Sequence, residues 1–178
     1  MKKWIAIAIA LACLIGGIYI GSPYYAAHAL RNAALDADAD EIEQSIDFPA
    51  VRDSLKSQMS AAMMTKLQND PEMQNNPFAG LGAMLLPSIV DRAVDTYVTP
   101  DGIAAMVRGQ KPTDKGKAEL NPDIESRSEY VNLDRFRVRL RNARLNEEGP
   151  SLLFERRGFA SWKLIRLEMP ANLLTGKE

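Results

Sequence analysis

Arg135-Phe136-Arg137-Val138-Arg139-Leu140-Arg141 alternates cation and hydrophobe without interruption. A period of two places Phe136, Val138 and Leu140 on one face of a strand and the four arginines on the other. The stretch therefore predicts a half-buried antiparallel strand whose apolar face needs a layer to cover it. Downstream, 151–156 and 160–169 read as two further strands, joined tightly around Arg157-Gly158-Phe159, with Asn146-Glu147-Glu148-Gly149-Pro150 as the preceding turn. Trp162 and Leu164 share one parity, whereas Ile165, Leu167 and Met169 share the other, which predicts a bulge in the last strand.

Upstream of the alternating stretch the period changes. Residues 110–127 carry lysine, proline and glycine without an apolar pattern and read as a linker or long loop. Before them, Thr99-Pro100 opens a short helix over 101–108, closed by Gly109. Residues 78–98 are apolar and helical in tendency, with a break or kink expected at Pro87. Val51, Leu55, Met59, Ala62, Met63 and Leu67 recur at helical spacing, in a helix started by Asp47-Phe48-Pro49 and stopped near Asn69-Asp70-Pro71, with a loop over 69–77. A turn at Asp36 to Asp40 leads into a short helix at 41–46, capped by Asp38 or Asp40. Helices first and a meander of strands after them define an α+β domain with a C-terminal antiparallel sheet of three to four strands.

The beginning of the chain has a different character. Lys2 and Lys3 precede Trp4, after which no charge interrupts the run to Ile20. From Trp4 to Tyr25 the length is about 22 residues, with only Ser22 and Pro23 non-apolar, which meets the roughly 20 residues of helix that a bilayer core requires. Lysines ahead of it predict a cytoplasmic N-terminus and a periplasmic domain at a bacterial inner membrane. Trp4 and Tyr19, Tyr24 and Tyr25 lie at its two ends, where amphipathic rings favour the interface. Ser22-Pro23 then reads as a hydroxyl cap and proline restarting or kinking the helix, which continues through alanine-rich sequence to Leu35. The division is an anchor at 1–21, one extracytoplasmic domain at 22–170 and a tail at 171–178. Two alternatives compete with an uncleaved anchor: a signal peptide cleaved after Ala27-His28-Ala29, and a lipoprotein lipidated at Cys13, whose preceding residues and long apolar continuation fit poorly.

Composition narrows the chemistry. The 178 residues are 46% hydrophobic and 25% charged with a net charge of −1, so the bulk is globular and has no basic field for nucleic acid. One cysteine and one histidine exclude an intrachain disulfide and a thiol or multi-histidine metal site. Asp36-x-Asp38-x-Asp40 with Asp47 at the twelfth place imitates a calcium loop, but Glu41 stands where glycine makes the sharp turn, so an acidic inter-helix turn is the better reading. His28 beside Tyr24, Tyr25 and Arg31 lacks a nucleophile and orienting acid in sequence, and reads as membrane-interface packing. Met59, Met63, Met64, Met73, Met84 and Met106 read as core ahead of an adaptable groove. Asp91 and Asp95, one helical turn apart, read as surface charge ahead of an acid pair. The sharpest candidate for binding is the row Arg135, Arg137, Arg139 and Arg141, spaced by ~6.6 Å. Such a row can hold an anionic polymer, a lipid headgroup or a carboxylate. A plainer alternative is a solvated face paired across strands with Glu155 or Glu168.

Ser22-Pro23-Tyr24, Asp47-Phe48-Pro49-Ala50-Val51-Arg52, Val98-Thr99-Pro100-Asp101-Gly102, and Phe136-x-Val138-x-Leu140 followed by Gly158, Trp162-Lys163-Leu164 and Leu167-x-Met169-Pro170 together resemble the bacterial domain-of-unknown-function family 2939. The resemblance implies a small protein with an N-terminal membrane segment, carries no assigned activity or site residues, and favours an uncleaved anchor. The helix-then-sheet order is similar to cone-shaped folds of the nuclear-transport-factor type, an analogy of fold alone. The sequence thus predicts a non-catalytic binding or interaction module of the cell envelope. It binds the membrane through its helix, and envelope proteins or an anionic ligand through its domain, with no cofactor implied. The alternatives are an enzyme working in the cleft of the cone with carboxylates and Tyr97 or Tyr130, and a structural envelope protein associating through Gly16-Gly17.

Overall fold

A computed structural model describes residues 2–69, 79–107 and 123–170. Its elements run α1 (Lys2–Asp36), α2 (Ala39–Ser45), α3 (Phe48–Asn69), α4 (Ala79–Tyr97), α5 (Pro100–Val107), β1 (Ile124–Asn132), β2 (Arg135–Asn142), β3 (Glu147–Arg156) and β4 (Trp162–Glu168). The chain is therefore α+β, as the change of period requires. The strands form an antiparallel meander in the order β1-β2-β3-β4. Asn69, expected in a loop, is the last residue of α3; the rest of that loop at 70–77, the end of the helix at Arg108-Gly109, most of the linker and the tail at 171–178 lie outside the described residues.

The alternation in β2 does what it predicts. Phe136 and Val138 are buried and Leu140 is partly buried, facing a core built from Leu30, Ala34, Ile42, Ile46, Val51, Val90, Val94 and Ile103 of the helices. The expected bulge falls at Ile165: Leu153 pairs with Arg166 and Phe154 with Leu164, leaving Ile165 unmatched. That extra residue lets Trp162 and Leu164, and then Leu167 and Met169 beyond it, all pack toward the same core.

Four local expectations are corrected. Residues 124–127 are strand, not linker, because β1 begins at Ile124. The turn before β3 is 143–146, and Glu147 to Pro150 already pair as strand. Pro87 breaks nothing: α4 continues through it. Pro87 lies on the exposed side of the helix, where water can serve the carbonyl that loses its donor. Ser22-Pro23 does not restart a helix either, since α1 runs unbroken past it.

Among the described residues the connections at 37–38, 46–47 and 98–99 are short and well satisfied. Ala37 closes α1 with φ 57°, and the Asp38 N–H returns to the Ala33 carbonyl at 2.8 Å. Left-handed backbone at a residue with a Cβ costs about 1–2 kcal/mol, more than glycine's extra chain entropy. Ala37→Gly is therefore expected to stabilise the protein by about 0.5–1 kcal/mol, read as a higher Tm. Asp38 caps α2 by accepting from Glu41 N–H at 3.1 Å, and Asp47 caps α3 by accepting from Ala50 N–H at 3.2 Å. Two of the four aspartates in the calcium-like pattern are thus occupied as helix caps.

Ile46 bridges to Leu164, and Asp47 N–H donates to the Leu164 carbonyl at 2.9 Å, so α3 leaves beside β4. It then follows that strand. The Gln58 side chain donates to the Leu167 carbonyl at 2.8 Å and accepts from Met169 N–H at 3.0 Å. Thr99 caps α5 by accepting from Gly102 N–H at 3.1 Å. A Cβ on Gly102 would fall inside the van der Waals radius of the Tyr97 carbonyl oxygen, which is backbone and cannot swing away. Gly102→Ala is expected to destabilise by about 2–3 kcal/mol, measured by chemical denaturation.

Candidate functional site

The most constructed region of the molecule is where α1 passes the end of the sheet. Proline in a helix removes the donor to the carbonyl four residues back and crowds that turn. At Pro23 the affected carbonyls are those of Tyr19 and Ile20, and both find partners elsewhere. The Ser22 hydroxyl donates to the Tyr19 carbonyl at 3.0 Å and Arg156 Nη2 reaches the same oxygen at 3.3 Å. The Tyr130 hydroxyl donates to the Ile20 carbonyl at 2.7 Å. Trp162 Nε1 in turn donates to Ser22 Oγ at 2.8 Å. Ser22 and Pro23 are buried under these groups.

Arg156 is the pivot. Its side chain is 7% exposed. The guanidinium lies between two rings, 3.7 Å from the centroid of Tyr19 and 4.3 Å from that of Trp162. Its remaining donors reach the Leu133 carbonyl at 3.1 and 3.2 Å and the Phe159 carbonyl at 2.7 Å, which closes both hairpin turns at this end of the sheet. The nearest carboxylate, Asp134, is 3.5 Å away. A cation held by carbonyls and two ring faces in a dry site is worth considerably more than an exposed ion pair.

Next to it, Tyr24 of α1 meets Phe136 edge-on at 4.7 Å, and Tyr130 and Trp162 complete the cluster at 5.2 and 6.4 Å from Phe136. Each such pair adds about 0.5–1.5 kcal/mol beyond its buried area. Burial pushes the Tyr130 phenol up, with Arg156 partly opposing it. The hydroxyl therefore keeps its proton and can donate to Ile20 at neutral pH. A raised folded value contributes stability that is complete below the unfolded value of about 10 and is lost as pH rises past it. Tyr130→Phe is expected to abolish that part of the alkaline loss, seen in Tm measured from pH 8 to 11.

The arginine row is on the face of β2 opposite the core, interleaved with acids. Arg135 pairs with Glu155 at 3.6 Å, Arg137 with Glu129 at 3.8 Å and Glu168 at 3.4 Å, and Arg139 with Glu129 at 2.6 Å, while Arg141 bonds Asn146. Arg137 is the least exposed of the three ion-pairing arginines here, and its buried Nε makes no hydrogen bond although Glu168 Oε2 is near enough to offset its charge. Arg127 stands directly opposite Arg139 in the register and is exposed. Glu125 and Glu148 stand opposite Arg141 in the register, so the face is a mixed-charge lattice to its outer end.

Other candidates are placed apart from one another. Asp91 and Asp95 both pair with Lys56, at 3.7 and 3.0 Å, on the surface. His28 and Tyr97 are exposed. Met59 and Met63 pack on the core, Met84 is 78% exposed, and Met73 and the Met106 side chain lie outside what is described. Leu81, Met84, Leu85 and Ile89 make an uncovered apolar stripe on α4. A shallow open groove of about 380 Å³ lies between α3 and β4, lined by Asp53, Ser54, Ser57, Glu155, Arg157 and Arg166.

The sequence singled out Ser22-Pro23 as a cap and restart, Tyr24 as an interfacial ring, and Phe136 and Trp162 as strand residues, each separately and as pieces of a family pattern. Their meeting around Arg156 was not anticipated. A proline preceded by serine near the end of an apolar helix was the available signal, because its freed carbonyls must be answered by something.

Fold and junction together define a class: a small α+β domain built onto the end of a helix long and apolar enough to cross a membrane. The model of the family described as "Protein of unknown function (DUF2939)" matches residues 12–106, more than half of the chain. The chain belongs to that family. The match includes the Ser-Pro-Tyr, Asp-Phe-Pro and Thr-Pro-Asp-Gly segments and ends before the sheet. No curated protein and no solved structure matches.

Proposed function

We propose that the protein is an anchored, non-catalytic interaction module of the bacterial cell envelope, with α1 crossing the inner membrane and the domain held against its periplasmic face. The observation that carries this reading is the junction at Pro23. The helix that suits a bilayer is also a core helix of the domain, with Leu30, Ala33 and Ala34 buried and the Tyr19 and Ile20 carbonyls bonded to the sheet. A flexible tether serves a domain that searches; a helix shared by anchor and core serves one that must present its faces at fixed height and orientation. Those faces are the arginine-bearing side of the sheet and the apolar stripe on α4. Exposed stripes of large hydrophobes on a small domain mark interaction sites.

Photo-crosslinking in native membranes, from Arg139 and from Met84 in separate experiments, tests the reading. Defined envelope-protein adducts from either position are expected. Adducts to neither, with the protein intact in the membrane, would remove the interaction role. Replacing Arg135, Arg137, Arg139 and Arg141 by glutamine is expected to abolish only adducts formed at the sheet face. A periplasm-dependent reporter fused after Pro170 should be active, and an inactive fusion would invert the orientation.

A further inference from the structure

We propose that the two hairpin turns at the end of the sheet nearest α1's apolar run, carrying Leu133 and Phe159, sit in the headgroup region of the bilayer where α1 leaves the hydrocarbon. The proposal rests on α1 crossing a membrane.

The uninterrupted apolar run from Trp4 to Ile20 has 17 residues. At 1.5 Å per residue that is about 26 Å, against a hydrocarbon core of about 30 Å. The boundary of the core therefore falls near Ser22 and Pro23, beside the domain. Phe159 of the β3–β4 turn packs on Tyr19, inside the run, with centroids 5.4 Å apart, yet remains 56% exposed. Leu133, in the β1–β2 turn at the same end of the sheet, is 70% exposed. Tyr25, on α1 at this level, is 78% exposed. Large apolar side chains bare on three separate segments are poorly placed in water and well placed at an interface, where aromatic rings concentrate.

Arg156 holds both turns by their carbonyls, so they approach the lipid as one unit. Asp134 follows Leu133 and is 70% exposed on its side chain, which sets the depth at the headgroups rather than in hydrocarbon. Nearby acids and bases are mixed (Asp134, Glu155 and Asp47 with Arg135, Arg157 and Lys163), so attachment depends on apolar insertion and not on anionic lipid.

The full-length chain in phosphatidylcholine vesicles tests this. In a Cys13→Ser background, single replacements Ile9→Cys, Leu133→Cys, Phe159→Cys and Met84→Cys each carry an environment-sensitive fluorophore. Labels at 133 and 159 are expected to be quenched strongly by headgroup-nitroxide lipids and several-fold less than label 84 by aqueous iodide. Phe159 contacts Tyr19, so its replacement can loosen the junction. Leu133 is largely exposed, and its label decides. If label 133 behaves like label 84 while label 9 is shielded, the span stands and the proposal is overturned. If label 9 is as accessible as label 84, the span fails and the proposal falls with it.

Discussion

A chain that begins at Leu30 is expected to lose the native fold, not merely its apolar helix. Truncation there removes Tyr19, Ser22, Pro23 and Tyr24, together with Ala26 and Ala27, which pack against the core. Trp162 Nε1 and the Tyr130 hydroxyl lose their acceptors, and Phe136 loses the edge of Tyr24. Re-exposing a large apolar side chain costs about 1.5–3 kcal/mol each, and each lost hydrogen bond about 0.5–1.5 kcal/mol. The combined loss, roughly 5 kcal/mol or more, is comparable to the whole stability of a small domain. Residues 30–178 should show no cooperative thermal transition and should bind a hydrophobic dye. Equal cooperativity of this fragment and the full chain would make the junction dispensable. For the same reason the mature protein is expected to retain its N-terminus, since cleavage after Ala29 would produce this unstable fragment.

Arg156→Ala is expected to be the most damaging single substitution, at about 3–4 kcal/mol. It leaves the Leu133 and Phe159 carbonyls without their donor, one of the two donors to Tyr19 missing, and a gap between the Tyr19 and Trp162 rings. Water can serve the exposed Leu133 and Phe159 carbonyls, so the loss comes from the part-buried Tyr19 carbonyl, at about 1 kcal/mol, the stacked cation, at about 1–2 kcal/mol, and the gap left between the rings, at about 1 kcal/mol. Arg156→Lys separates charge from geometry. A lysine keeps the cation but cannot span carbonyls of two turns and the helix at once, so it should recover less than half of the loss. Denaturant midpoints of the full-length protein in detergent measure both. Full recovery by lysine would mean that the site needs a charge and not a fork.

The alternation of β2 and the parity switch at Ile165 were legible because a buried face leaves a period in the residues that line it. β1 was not legible for the same reason. Its residues opposite Leu140, Val138 and Phe136 are Ser126, Ser128 and Tyr130, so only one of three is apolar. Pairing with β2 makes the strand, and pairing is not a local property. Ser22-Pro23 misled because a serine hydroxyl can cap forward or bond back to its own helix. Trp162 and Arg156, more than 130 positions away, hold the backward choice in place. Arg156 itself looks like any cation at a strand end, and neither turn that it ties shows in sequence that its carbonyl is turned inward. The arginine row was found as a pattern, but its acids come from β1, β3 and β4, and their register fixes how much charge is left over.

The apolar helix and the domain are one body. Hydrogen exchange of the full chain in nanodiscs tests it at the amides of residues 24–34, beyond the apolar run. If α1 is a core helix there, these amides exchange as slowly as those of Phe136 and Val138 in β2. Exchange at 24–34 orders of magnitude faster than in the sheet would show a tether that frays independently of the domain, and would contradict the account.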